Sequence, residues 1–151
     1  MIKIFRKTDG TKVEIIKHTS DMLEYCPYSE IHVGTDSQNS AIFTKYSVVI
    51  AYRFGTRGVH YIFNSFKVDR IDDKFTRLMK EAEYSIEIAQ WITEKINVDI
   101  QIDLDYNQND KYFSSKLIPM TKGWANSLGF KVNLKPNNQV ATKAADYQCR
   151  W

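Results

Sequence analysis

The hydrophobic period of this chain changes near residue 72, and that change limits the fold more than any other feature. Glu30–Thr35, Thr44–Arg53 and Val59–Val68 read as three strands joined by short connections, with Gly55 and Gly58 marking a turn. From Asp72 to Ile96 the apolar residues Phe75, Leu78, Ala82, Ile86, Ala89 and Ile92 recur at spacings of three and four. That spacing predicts a long amphipathic helix, and Asp72 and Asp73 suit its N-terminal dipole. Val98–Leu104 alternates again and predicts a fourth strand, with Val98, Ile100, Ile102 and Leu104 on one face. Asp99, Gln101, Asp103 and Asp105 occupy the other face.

A second helix is expected near Tyr112–Leu128, kinked or started late by Pro119 and stopped by Gly129. Phe130–Leu134 is a fifth short strand. The last helix runs from Ala141 to the end, with Ala141, Ala144, Ala145 and Cys149 on a small-residue face. Upstream, Met1–Ile16 reads as a hairpin around Asp9-Gly10, followed by a short helix at Thr19–Tyr25 that Pro27 closes. The core is therefore βββαβαβα. It predicts an α/β fold with a mixed five-stranded sheet flanked by helices. The 151 residues form one domain, with 1–28 as an N-terminal extension and 29–151 as the core.

Composition narrows the function classes. Hydrophobic residues make up 43% and charged residues 26%, ordinary values for a chain with a real core. The longest apolar run, Val48–Tyr52, is far below the roughly 20 residues of a membrane span, so no membrane partner is expected. Met1–Asp9 contains no h-region. Cys26 and Cys149 are isolated, which argues against a cysteine zinc site and a disulfide scaffold and predicts a reducing, cytoplasmic setting. Net charge is +3, but residues 105–151 hold seven basic and three acidic groups, as suits a polyanionic partner.

The acids carry the chemistry. Asp36 follows the first core strand and Asp103 lies at the end of the fourth. Sites in open α/β sheets form outside the carboxyl ends of strands, and clustered carboxylates imply a hard divalent cation. At about 100° per residue, Glu81 falls about 60° from Leu78 at the centre of the buried helix face. Glu83, Glu87 and Glu94 fall about 140–180° away, toward solvent. Asp146 follows Ala144-Ala145 on the last helix, where small side chains permit close packing. Lys135 and Lys143 are candidate phosphate contacts. Thr35, Ser37 and Gln38 flank Asp36 and suit either phosphate or 2′-OH binding or turn hydrogen bonds. His18, His32 and His60 lack metal-ligand spacing, and Tyr106, Tyr112 and Trp124 are candidates for base stacking or packing.

The segment Ile31-His-Val-Gly-Thr-Asp-Ser-Gln38 resembles the opening strand of the YkuK family, within the ribonuclease H-like superfamily. Arg77-Leu-Met-Lys-Glu81 with Ser85, Asp99-Ile-Gln-Ile-Asp103, Gly123-Trp124 and Leu128-Gly129-Phe130 follow in the order that family shows. So do Lys135-Pro136 and Val140-Ala-Thr-Lys-Ala-Ala-Asp146. The resemblance spans roughly residues 30 to 150. It implies an RNase H-like sheet of order 3-2-1-4-5 with strand 2 antiparallel. It also implies a DEDD-type cluster of Asp36, Glu81, Asp103 and Asp146 holding two Mg2+ or Mn2+ ions. Asp105 departs from that pattern; it shares a face with Asp103 and is able to replace or assist it as a ligand. The expected activity is metal-dependent hydrolysis of nucleic-acid phosphodiesters, with RNA, DNA or hybrid left open. A non-catalytic nucleic-acid- or protein-binding module with the same fold is the alternative. An actin-like ATPase half is disfavoured: no glycine follows Asp36 closely, and the chain holds one copy of the fold.

Overall fold

The computed structural model describes residues 4–135, 137 and 139–150. The outer end of the expected first strand, the Pro136 of the Lys135-Pro136 motif and the last residue, Trp151, lie outside the described residues. A hairpin of β1 (Ile4–Arg6) and β2 (Lys12–Glu14) leads into α1 (Ile15–Tyr25). Then come β3 (Glu30–Asn39), β4 (Phe43–Arg53), β5 (Val59–Asp69), α2 (Lys74–Lys95) and β6 (Ile100–Asn107). A 3-10 turn (Phe113–Leu117), α3 (Ile118–Ser127), β7 (Lys131–Lys135) and α4 (Val140–Cys149) complete the chain.

The sheet has seven strands, not five, in the order β2-β1-β5-β4-β3-β6-β7. The two additional strands are the N-terminal hairpin, which adds at the β5 edge through Arg6 opposite Phe63. Pairing antiparallel to a free edge satisfies backbone groups that β5 would otherwise expose. Among the other five, β4 runs antiparallel to its neighbours, while β3, β6 and β7 are mutually parallel.

Several boundaries shift for local reasons. α1 begins at Ile15 rather than Thr19, because the Glu14 carboxylate accepts from Ile16 N and Lys17 N at 3.1 and 2.8 Å. Asp73 caps α2 through Thr76 N at 3.1 Å, which sets its start at Lys74. Pro119 sits in the first turn of α3, and a 3-10 turn replaces the predicted upstream half of that helix. β3 runs four residues past Thr35, carried by antiparallel pairing with β4 as far as Asn39 opposite Thr44.

The two sheet faces are covered unequally. On one, α2 buries Ala82, Ile86, Ala89 and Ile92 against Val33, Ile50, Ile62 and Ile102. Each of the Val and Ile side chains contributes about 1.5–3 kcal/mol relative to exposure. Tyr106 belongs to this core, its hydroxyl donating to Leu78 O. On the other face α4 packs Ala141 and Ala145 on Val49 and Ala51. Gly34 permits this approach: a Cβ there would stand 2.9 Å from Thr142 Cγ2 and 3.0 Å from Ala141 Cβ. No helix among the described residues is long and apolar enough to cross a membrane.

Candidate functional site

Strand register decides which acids meet. β3 and β6 pair in parallel with Gly34 opposite Asp103. That pair ends the ladder; two residues further along each strand, Asp36 and Asp105 lie on the face α4 covers, near enough for the Asp105 charge to act on Asp36. Asp103 lies deeper and is fully engaged. Its Oδ1 accepts from Asn133 Nδ2 at 2.8 Å and lies 2.9 Å from His32 Nδ1. Its Oδ2 accepts the Ala141 backbone N–H at 2.8 Å. His32 Nε2 in turn reaches Glu30 Oε1 at 3.0 Å. Burial opposes a charge on His32, but hydrogen bonds and charge from Asp103 and then Glu30 outweigh it and raise its pKa. Asp103 thus ties β3, β6, β7 and the first turn of α4 together.

Asp36 is half-buried and its Oδ1 accepts from Ser37 N at 2.9 Å. Burial first, then the charges of Asp105 and Asp146 and a hydrogen bond with Asp146, push its pKa up to about 7, against the Ser37 N–H. Glu81 approaches from the α2 side. It is 4% exposed, and Ser37 Oγ donates to its Oε2 at 2.5 Å while accepting from Arg77 Nη1 at 2.8 Å. Burial and then the nearby Asp36 charge hold the Glu81 pKa well above the carboxylate range. The helical phasing is as expected: Glu83, Glu87 and Glu94 are exposed.

Asp105, Lys135, Gln139, Thr142, Lys143 and Asp146 line an open depression of about 370 Å³. Lys135 Nζ stands 2.7 Å from Asp105 Oδ1. Among the described residues that ammonium is the one partner of this buried oxygen, and the ion pair links β7 to β6. Asp105, with weaker help from Asp36 and Asp146, raises the Lys135 pKa. Asp146 is exposed and pairs with Arg150 at 3.1 Å.

With this geometry in view, comparison with known families matches residues 11–150 to the family Ribonuclease H-like. The chain belongs to the ribonuclease H-like family. Comparisons with curated proteins and with solved structures return no match.

Among the described residues of this ribonuclease H-like chain, no three His, Cys, Asp or Glu side chains converge closely enough, as they lie, to chelate a metal ion. The donor chemistry nevertheless fits a hard divalent cation at one place. Asp105 and Asp146 raise the cost of charge at Asp36, and the Lys135 ammonium already stands 2.7 Å from Asp105 Oδ1, where positive charge is wanted. Asp103 brings no free oxygen to that place, and Glu81 reaches it only from behind β3.

The predicted substrate contacts divide by face. Thr35 is buried and its hydroxyl pairs with Ser85 Oγ at 2.8 Å, and Ser37 is held between Glu81 and Arg77. Gln38 is exposed on the α4 side, and Lys135 and Lys143 line the depression. Asn133 and Gln139 were not foreseen. Asn133 shares the alternation of Lys131 and Lys135 in β7, which is the one signal that points it toward Asp103. Gln139 Nε2 donates to Asn133 O and Asn137 O at 3.2 and 3.1 Å, which anchors the loop before α4.

Proposed function

We propose that this chain is a divalent-metal-dependent nuclease hydrolysing nucleic-acid phosphodiesters, working in the cytoplasm and falling in the YkuK branch of its family. The observation that carries the reading is the gathering of Asp105, Asp146 and two lysines on one depression, with the charges of both acids acting on Asp36. Asp36, Asp105 and Asp146 would hold the metal, and Asp105 takes the place on β6 that Asp103 fills in the expected DEDD cluster. Mg2+ or Mn2+, bound there as a pair of ions, would supply Lewis acidity to an attacking water and a leaving oxygen.

The chain's own groups do the rest. Asp36, on the central strand β3, is the acid on which both Asp105 and Asp146 act. Glu81 sits behind it, held by Ser37 and Arg77, and its proton occupancy sets how much negative charge Asp36 feels. Lys135 and Lys143, both on the depression, would supply the two phosphate contacts. Asp103 holds α4, and with it Asp146, at the right height.

The binding-module alternative has one observation behind it: Lys135 already neutralises part of the acidic group. Cleavage of labelled single-stranded, duplex and RNA–DNA hybrid substrates in Mg2+ or Mn2+ separates the two. The nuclease reading predicts cleavage by wild type that Asp36→Asn abolishes. No cleavage of any substrate, or equal cleavage by the variant, rejects it.

A further inference from the structure

α4 is the one described helix on its face of a seven-stranded sheet, so the β5 side of that face is left partly open. An open groove of about 880 Å³ follows this uncovered side. Its walls are the β4–β5 turn with Arg53, the Tyr61 ring on β5, and Gln139, Lys143 and Tyr147 on and before α4. The lining holds two cations, two tyrosines and no carboxylate. Gln139 and Lys143 also line the acidic depression, so the two hollows meet at the N-terminal end of α4.

The rings are placed for contact. Tyr147 is 64% exposed, with the Arg150 guanidinium 5.9 Å from its ring centroid, and Arg150 is also the partner of Asp146. The Tyr61 hydroxyl accepts from Gln148 Nε2 at 3.0 Å, which fixes that ring beside α4. Gly55 and Gly58, both at positive φ, leave the turn opposite without bulk: a Cβ at either would meet nothing within 4 Å.

We infer that this groove binds a single strand of nucleic acid, its phosphates on Lys143 and Arg53 and its bases against Tyr147 and Tyr61, and leads it to the acidic depression. Exposed aromatic faces bind bases only when those bases are unstacked, so the groove selects single strands over duplexes. The inference deepens the nuclease reading by naming its substrate class, but the groove would bind a strand whether or not the acids cut it.

The test is fluorescence anisotropy of labelled oligothymidylate, oligouridylate and a DNA duplex with the full chain in EDTA, where no metal-dependent cutting occurs. Tyr147→Ala is expected to weaken single-strand binding about tenfold, one stacked base being worth about 1–3 kcal/mol. Lys143→Ala is expected to flatten the slope of log affinity against log salt by about 0.7. Lys17→Ala, an exposed lysine on α1, serves as the control and leaves binding unchanged. Parental affinity and salt slope in both groove variants overturn the inference, as does a duplex that binds as tightly as the single strands. Cleavage in Mn2+ with groove variants that bind normally sinks the groove and leaves the nuclease. Groove-dependent binding with no cleavage in any metal sinks the nuclease and leaves the groove.

Discussion

Asp103 Oδ2 accepts the backbone N–H of Ala141 across 2.8 Å, so the buried acid of β6 holds the first turn of α4. Its other oxygen meets His32 and Asn133. One carboxylate thereby fixes the height of the helix that carries Asp146. Asp105, two residues on, faces the open depression instead, where its buried Oδ1 meets the Lys135 ammonium at 2.7 Å. These environments assign two nearby aspartates to different work.

Asp103→Ala leaves the His32 ring, the Asn133 amide and the Ala141 N–H without their acceptor. It is expected to destabilise the fold by about 3–5 kcal/mol, the usual cost of breaking a buried charged network. Asp105→Asn, by contrast, is expected to stay within about 1 kcal/mol of wild type while losing metal-dependent activity. Urea unfolding of both variants checks the split. Equal destabilisation would show that Asp105 is also a structural acid.

Gly34→Ala would drive a methyl to 2.9 Å from Thr142 Cγ2 and 3.0 Å from the Thr142 backbone N. α4 has to give way, at a cost of about 1–3 kcal/mol. Because Asp146 rides on α4, activity is expected to fall with stability. A variant as active and as stable as wild type would mean that α4 has room to move.

How much of this was readable beforehand follows from what is local. The helical period placed Glu81 inward and Glu83 outward, because phase along one helix needs no partner. Strand alternation put Asp103 and Asp105 on one face, but their levels against Asp36 depend on the β3–β6 register, which no local signal carries. The hairpin was legible as a hairpin; its place in the sheet rests on Arg6 meeting Phe63, 57 residues later. The network of His32 and Asn133 around Asp103 joins three strands, so no single segment announces it.

Glu81→Gln tests the acid behind β3. The amide keeps the shape and the Ser37 contact but removes the ionisable group nearest Asp36 from the α2 side. At least a tenfold loss of cleavage rate is expected with the fold intact, while Glu83→Gln, on the exposed face, is expected to be silent. Rates measured side by side decide it: equal loss in both would contradict the phasing.

Acid sensitivity is expected to come from the N-terminal helix. His18 Nε2 lies 2.8 Å from His60 Nε2, an arrangement in which one ring donates and the other must be neutral to accept. Burial, then the charges of His60 and Lys7, lower the His18 pKa to about 4, against an opposing pull from Asp21, and burial also lowers that of His60. The unfolded chain therefore binds protons below about 6.5 that the folded chain refuses until about 4. Stability from His18 is present above pH 6.5 and lost as pH falls toward 4. Urea midpoints of His18→Phe across that range are expected to fall less steeply than those of wild type. Parallel curves would remove His18 as the cause.

The most direct measurement of the central claim is calorimetric titration of Mn2+ into wild type, Asp36→Asn, Asp105→Asn and a structurally conservative Glu83→Gln control. Saturable binding by wild type and the control, lost in both aspartate variants, is the predicted result. Binding that survives Asp36→Asn and Asp105→Asn, or none in wild type, would contradict a divalent-cation site built on Asp36, Asp105 and Asp146.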